Sequence, residues 1–133
     1  MKVGGKNMDR DPVRIGRINI KVEKALGYDF GENIFCYISE EKLREFASRW
    51  PSGYLKKVEE SAHIMKNPLY VGIDTKNKRL YYVKEYIVNN SSFKKACLVL
   101  SFEKQLSLMD IIALDEKKMA LISRTTRFVA AKS

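Results

Sequence analysis

Residues Lys66 to Val88, K-N-P-L-Y-V-G-I-D-T-K-N-K-R-L-Y-Y-V-K-E-Y-I-V, decide how the chain reads. Asn67-Pro68 stops the helix before it, because proline has no N–H to donate and drives the preceding residue out of the helical region. Leu69 to Ile73 is a short apolar run, Asp74 to Lys78 a polar turn, and Leu80 to Val88 an aromatic, β-branched strand holding one cation, Lys84. This is the pattern of a β-hairpin. Alternation puts Tyr82, Lys84 and Tyr86 on one face of its second strand, and Tyr81, Val83, Glu85 and Ile87 on the other.

Upstream, Ser39-Glu40-Glu41 offers a capping hydroxyl and two carboxylates for a helix start. Leu43, Phe46, Ala47 and Trp50 follow at helical spacing, ended by Pro51-Ser52-Gly53. A second helix runs from about Tyr54 to Lys66, with Leu55, Val58, Ala62 and Met65 as its apolar stripe. Further back, Ile18, Ile20 and Val22 alternate with Arg17, Asn19 and Lys21, which reads as a strand. Asn33 to Ile38 reads as its partner. Residues 1–12, with Gly4-Gly5 and Asp11-Pro12, read as a flexible leader.

Downstream of a turn at Asn89 to Ser92, Phe93 to Phe102 reads as a strand buried on both faces, and Glu103 to Leu108 as a loop. Met109 to Leu114 reads as a strand or a helical turn, and Met119 to Val129 as a closing strand after the turn Asp115 to Lys118. The expectation is one domain over 13–133. Its class is α+β: two helices on one face of a curved, mainly antiparallel sheet of four to five strands, with a short N-terminal strand pair.

The 133 residues carry 25 Lys+Arg against 16 Asp+Glu, a net charge of +9. Residues 1–53 hold ten basic and eight acidic side chains, and residues 54–133 hold fifteen and eight, so the later part carries +7 of the excess. An uneven positive field suits polyanions. No apolar run reaches the roughly 18–20 residues of a membrane helix, and the leader lacks a signal peptide's apolar core. A cytoplasmic protein without membrane association is expected. Cys36 and Cys97 sit in apolar stretches and read as buried small hydrophobes, and neither they nor His63 have metal-ligand spacing. His63 falls beside the apolar stripe and reads as a partly buried structural residue.

No Gly-rich phosphate loop or nucleophile elbow is present, and no cofactor or metal is expected. RNA chemistry can proceed without them, because the 2′-OH attacks its own phosphate and the protein supplies proton transfer and cations. Ser123-Arg124-Thr125-Thr126-Arg127 packs two guanidiniums and three hydroxyls into five residues, and guanidiniums match phosphate oxygens. Lys84 between Tyr82 and Tyr86 suits a phosphate contact beside stacked bases. Lys94 and Lys95 add general attraction. Each feature has a plainer alternative: solvated charge, sheet-forming threonines, tyrosines packed on the sheet and a lysine reaching past them to water.

The order of a helix, N-P-L-Y-V-G, a polar turn, L-Y-Y-V-K, the A-C-L-V-L strand and a closing I-S-R-T-T-R-F resembles the phage-associated nuclease domains grouped with barnase, EndoU, colicin-type tRNases and RelE toxins. Y-I-S-E-E-K-L-R-E-F-A-S-R-W-P fits the same order, so the likeness spans roughly Ile34 to Val129. The resemblance implies metal-independent RNA cleavage in toxin, phage or mobile-element settings, with RNA and an inhibitor protein as partners. It places the family's strand lysine at Lys84 and its hydroxyl motif at Ser123 with Thr125 or Thr126. Arg124 and the second threonine depart from the family's simpler serine-threonine pair, and N-P-L-Y lacks an acidic residue after the proline. A catalytic set of Lys84, Ser123, Arg124, Thr125 and Thr126 follows, with Tyr82, Tyr86, Lys94, Lys95 and Arg127 binding substrate. A non-catalytic nucleic-acid-binding module and a phage or immunity interaction protein are the alternatives.

Overall fold

The computed structural model describes residues 12–32, 34–88 and 92–131, with 88 and 92–94 described by their backbone alone. The expected leader, apart from Pro12, and the turn residues 89–91 lie outside them. Four helices and seven strands are formed among the described residues: β1 Val13–Arg17, α1 Ile20–Leu26, β2 Phe35–Ile38, α2 Glu40–Arg49, α3 Tyr54–Lys66, β3 Tyr70–Asp74, β4 Arg79–Val88, β5 Ser92–Ser101, β6 Leu106–Ala113, α4 Glu116–Ser123 and β7 Arg127–Ala130. The strands form one sheet in the order β1-β2-β6-β5-β4-β3-β7. Only the β2–β6 pairing is parallel. The protein is α+β, with more strands and helices than expected.

The hairpin forms where the sequence puts it, Asp74 pairing with Arg79 and Tyr70 with Val83. The second strand runs on past its first partner. Its pairing with β5 continues from Lys84 through Val88, while β3 stops opposite Val83 and β6 stops opposite Ala96. Residues 85–88 and 92–95 therefore form a two-stranded arm beyond the body of the sheet.

Alternation along the strands builds two apolar layers. Leu80, Tyr82, Val71, Ile73, Leu98 and Leu100 join Val22 and Leu26 of α1, Phe46 of α2, and Ile64 and Met65 of α3 in the main core. On the opposite face Val83, Cys97 and Leu114 pack with Tyr81, Val99, Phe128 and the α4 residues Met119 and Ile122. The helices thus cover both faces of the sheet, not one. Both cysteines are free and buried, in different layers, and burial pushes each thiol up to about 12.

Three local assignments change. The expected strand through Val22 ends at Arg17, because Asn19 caps a helix by accepting from Lys21 N (2.8 Å) and Gly27, at φ 65°, closes it in the left-handed region. Ile20 is consequently 64 % exposed, while Val22 and Leu26 share the buried face. The expected loop at Glu103–Leu108 ends early, since β6 begins at Leu106. The closing strand over Met119–Val129 is instead α4, a turn and β7. Asp115 accepts from Lys118 N (2.8 Å) as the helix cap, and Glu116 occupies the first turn.

α2 starts as the sequence implies, Ser39 Oγ accepting from Lys42 N (3.0 Å). On α3 the buried stripe is offset from the expected one. Ser61, Ile64 and Met65 are buried with Tyr54 and Val58 packed alongside, whereas Leu55 is 59 % exposed. A small serine fits close to the sheet here because its hydroxyl donates to Lys57 O (2.9 Å) and leaves no polar group unmatched. His63 lies on the exposed side of α3, not partly buried.

Candidate nucleic-acid interface

The five residues expected to act together near the chain end do not converge on one site. Ser123 is the exposed last residue of α4, and Arg124 is its exposed C-cap. The Thr125 hydroxyl donates to Asp74 Oδ2 (2.8 Å) at the far end of β3. Thr126 is buried, and its Oγ1 has no hydrogen-bond partner. Arg127 donates through Nη2 to the carbonyl of Leu26, the last residue of α1, where a cation complements the negative end of the helix.

Asp74 anchors that end of the sheet. Burial opposes its charge, but hydrogen bonds from the Asn77 side chain and backbone, from the Thr125 hydroxyl and from the Lys76 backbone outweigh burial. The carboxyl titrates below its ordinary value as a result. Lys84 lies five residues along β4 from Arg79, the partner of Asp74. At roughly 3.3 Å per residue that places Lys84 about 16 Å along the strand from the end where Asp74 holds Thr125. Lys84 and the Ser123–Thr126 segment are not brought together.

Lys84 sits on the face of α3. Its Nζ donates to Asn67 O (3.4 Å), just beyond the C-terminal end of the helix, and lies 6.0 Å from the Tyr86 ring centre. The Tyr86 hydroxyl donates to Glu60 Oε2 on α3 (3.0 Å). Burial, then the hydrogen bond and charge of Glu60, push this hydroxyl up to about 12, which keeps it a donor. Tyr82 shares the face but is fully buried in the main core, its hydroxyl without a partner, so it presents nothing to a substrate. Lys95 is exposed and lies opposite Glu85, on the other face of the arm. Lys94 stands opposite Tyr86 in register, and its side chain lies outside the description.

From Tyr86 the contacts continue into residues that the sequence reading left out. Glu60 Oε1 meets Lys57 Nζ (3.6 Å), Lys57 Nζ lies 5.0 Å from the Trp50 ring centre, and the Arg49 guanidinium lies 4.3 Å from it. Arg49 Nη1 in turn bonds Asp110 Oδ1 of β6 (2.6 Å). The band from Lys84 to Asp110 thus joins the arm, α3, α2 and the sheet. Its cations are Lys84, Lys57, Lys56 and Arg49, and its carboxylates Glu60 and Asp110. Between the end of α2 and the start of α3 it opens into a cleft of about 470 Å³, lined by Arg49, Trp50, Pro51 to Gly53, Lys56, Lys57 and Glu60.

The chemistry of the band favours exchange of partners. Exposed ion pairs contribute about 0–1 kcal/mol, so a phosphate can take over Lys57 or Arg49 at little cost. A cation over an exposed ring contributes about 0.5–1 kcal/mol, against about 1–3 kcal/mol for a stacked base. Phe46 meets Trp50 edge-on (5.3 Å, 81°) and fixes the plane of the indole. The signal was present in R-W-P-S-G-Y-L-K-K, where two aromatics and three cations flank a helix break.

Among the described residues no group of three His, Cys, Asp or Glu is placed to hold a metal ion, and no helix is long and apolar enough to cross a membrane. No family model, curated protein or solved structure matches the chain.

Proposed function

We propose that this protein binds RNA through the band formed by Lys84, Tyr86, Lys57, Lys56, Trp50 and Arg49, and does so without cutting it. The observation that carries this reading is the unbroken run of contacts from Lys84 to Arg49. It offers cations and aromatic rings side by side, the combination that holds a flexible phosphate backbone and its bases. Cleavage by 2′-OH attack, which the resemblance to the barnase–EndoU–colicin–RelE group implies, needs a proton acceptor and a donor at one phosphate. The hydroxyls of Thr125 and Thr126 are committed to Asp74 and to the protein interior, and Lys84 stands apart from both.

Labelled single-stranded RNA, incubated with the protein in excess chelator, tests both halves of the reading. Binding that weakens with salt while the RNA stays full length is the expected result. Cleavage abolished by Lys84→Ala or Arg124→Ala would instead establish the nuclease, and absence of binding at low salt would leave neither.

A further inference from the structure

We infer that the cleft between α2 and α3 holds one unstacked nucleotide, its base on the Trp50 indole and its phosphate on Lys56 and Lys57. This assignment deepens the RNA-binding reading and rests on it. It makes the preferred ligand a single strand, because a base within a duplex offers its edges but not its face.

The cleft has the dimensions and the chemistry for this. Its volume of about 470 Å³ falls within the ≈ 300–1,000 Å³ of small-molecule sites. The indole is held edge-on by Phe46, and the groups over its ring are the Arg49 guanidinium, tethered to Asp110, and the Lys57 ammonium. A base entering over the ring displaces a weaker contact. Charge then sets the direction of entry. Glu60 occupies one wall, fixed by Lys57 and the Tyr86 hydroxyl, and repels a phosphate. Lys56 is exposed and has no carboxylate within ion-pair distance among the described residues. The phosphate therefore lies toward Lys56, with Lys57 exchanging Glu60 for it.

Trp50 is the single tryptophan of the chain, so its emission reports on this cleft alone. The test titrates the full chain with adenosine 5′-monophosphate at low salt, beside ribose 5-phosphate, and repeats both with Lys56→Glu. Saturable quenching by the nucleotide, no response to ribose 5-phosphate, and affinity roughly tenfold weaker in Lys56→Glu are expected. Because Lys56 is exposed, this variant leaves the fold intact, which the unfolding midpoint checks. No quenching, equal quenching by ribose 5-phosphate, or unchanged affinity in Lys56→Glu overturns the assignment. RNA that binds while nucleotide and Trp50 emission stay silent overturns the cleft and spares the wider reading. Quenching by the nucleotide without any RNA affinity does the reverse.

Discussion

The Thr125 hydroxyl donates to Oδ2 of Asp74 across 2.8 Å, joining residues 51 apart in sequence. It fastens the turn between α4 and β7 to the end of β3, the strand that β7 pairs with. A hydroxyl that reads as a catalytic group in the sequence is here part of the frame.

The Asp74 carboxyl has a folded pKa below the ≈ 3.9 of an unfolded aspartate. Its stabilising contribution is therefore complete above about pH 4 and is lost as the pH falls through the lower folded value. Thr125→Val removes one charge-assisted hydrogen bond and should lower stability by about 1–2 kcal/mol near neutral pH. Urea unfolding of both proteins from neutral to acid pH should show this gap closing below about pH 4. A gap of constant size across the range contradicts the account.

Gly72 should not accept even a methyl group. A Cβ there would lie 2.6 Å from Cδ1 and Cε1 of Phe128 and 2.7 Å from Cγ2 of Thr126. Gly72 and Phe128 are cross-strand partners, so the ring must swing off the β3 backbone to make room. Gly72→Ala should cost about 1–3 kcal/mol, the usual penalty of overpacking, read as a lowered thermal midpoint. An unchanged midpoint would show that Phe128 swings aside freely.

Tyr82→Phe should be neutral or stabilising. The Tyr82 hydroxyl is buried with no partner, and an unmatched buried hydroxyl costs free energy that phenylalanine avoids. RNA affinity should not change, since the ring is fully enclosed. Loss of affinity with stability intact would return Tyr82 to the binding surface.

Ser123→Ala and Arg124→Ala change exposed groups at the end of α4, away from the band. Both should leave RNA affinity within about twofold, as surface substitutions outside an interface do. A larger effect, measured by anisotropy of labelled RNA, would extend the interface around the sheet to the opposite face.

The elements the sequence discloses are those with strong local signals. α2 has its serine cap, α3 ends at Asn67-Pro68, and the hairpin has a polar turn between two apolar runs. α1 was hidden because Ile18, Ile20 and Val22 alternate by coincidence, and the helix is decided by Asn19 and Gly27 instead. α4 was hidden because Asp115-Glu116-Lys117-Lys118 suits a turn as well as a capped first turn, and packing of the partly buried Met119 and Ile122 against the sheet tips the balance. At the candidate site, Lys84 and Tyr86 were legible from strand alternation. Arg49, Trp50 and Lys57 were not, because their meeting depends on how α2 and α3 pack across Pro51–Gly53, which no local pattern dictates.

The salt dependence of RNA affinity tests the central claim most directly. Each phosphate contact on a single strand contributes a slope of about −0.7 in log K against log salt, so four cations in the band give about −3. Lys84→Ala and Lys56→Ala should each reduce the magnitude of that slope by about 0.7, and together by about twice as much. A slope near zero, or one that neither substitution alters, would contradict the assignment of the band as the RNA-binding surface.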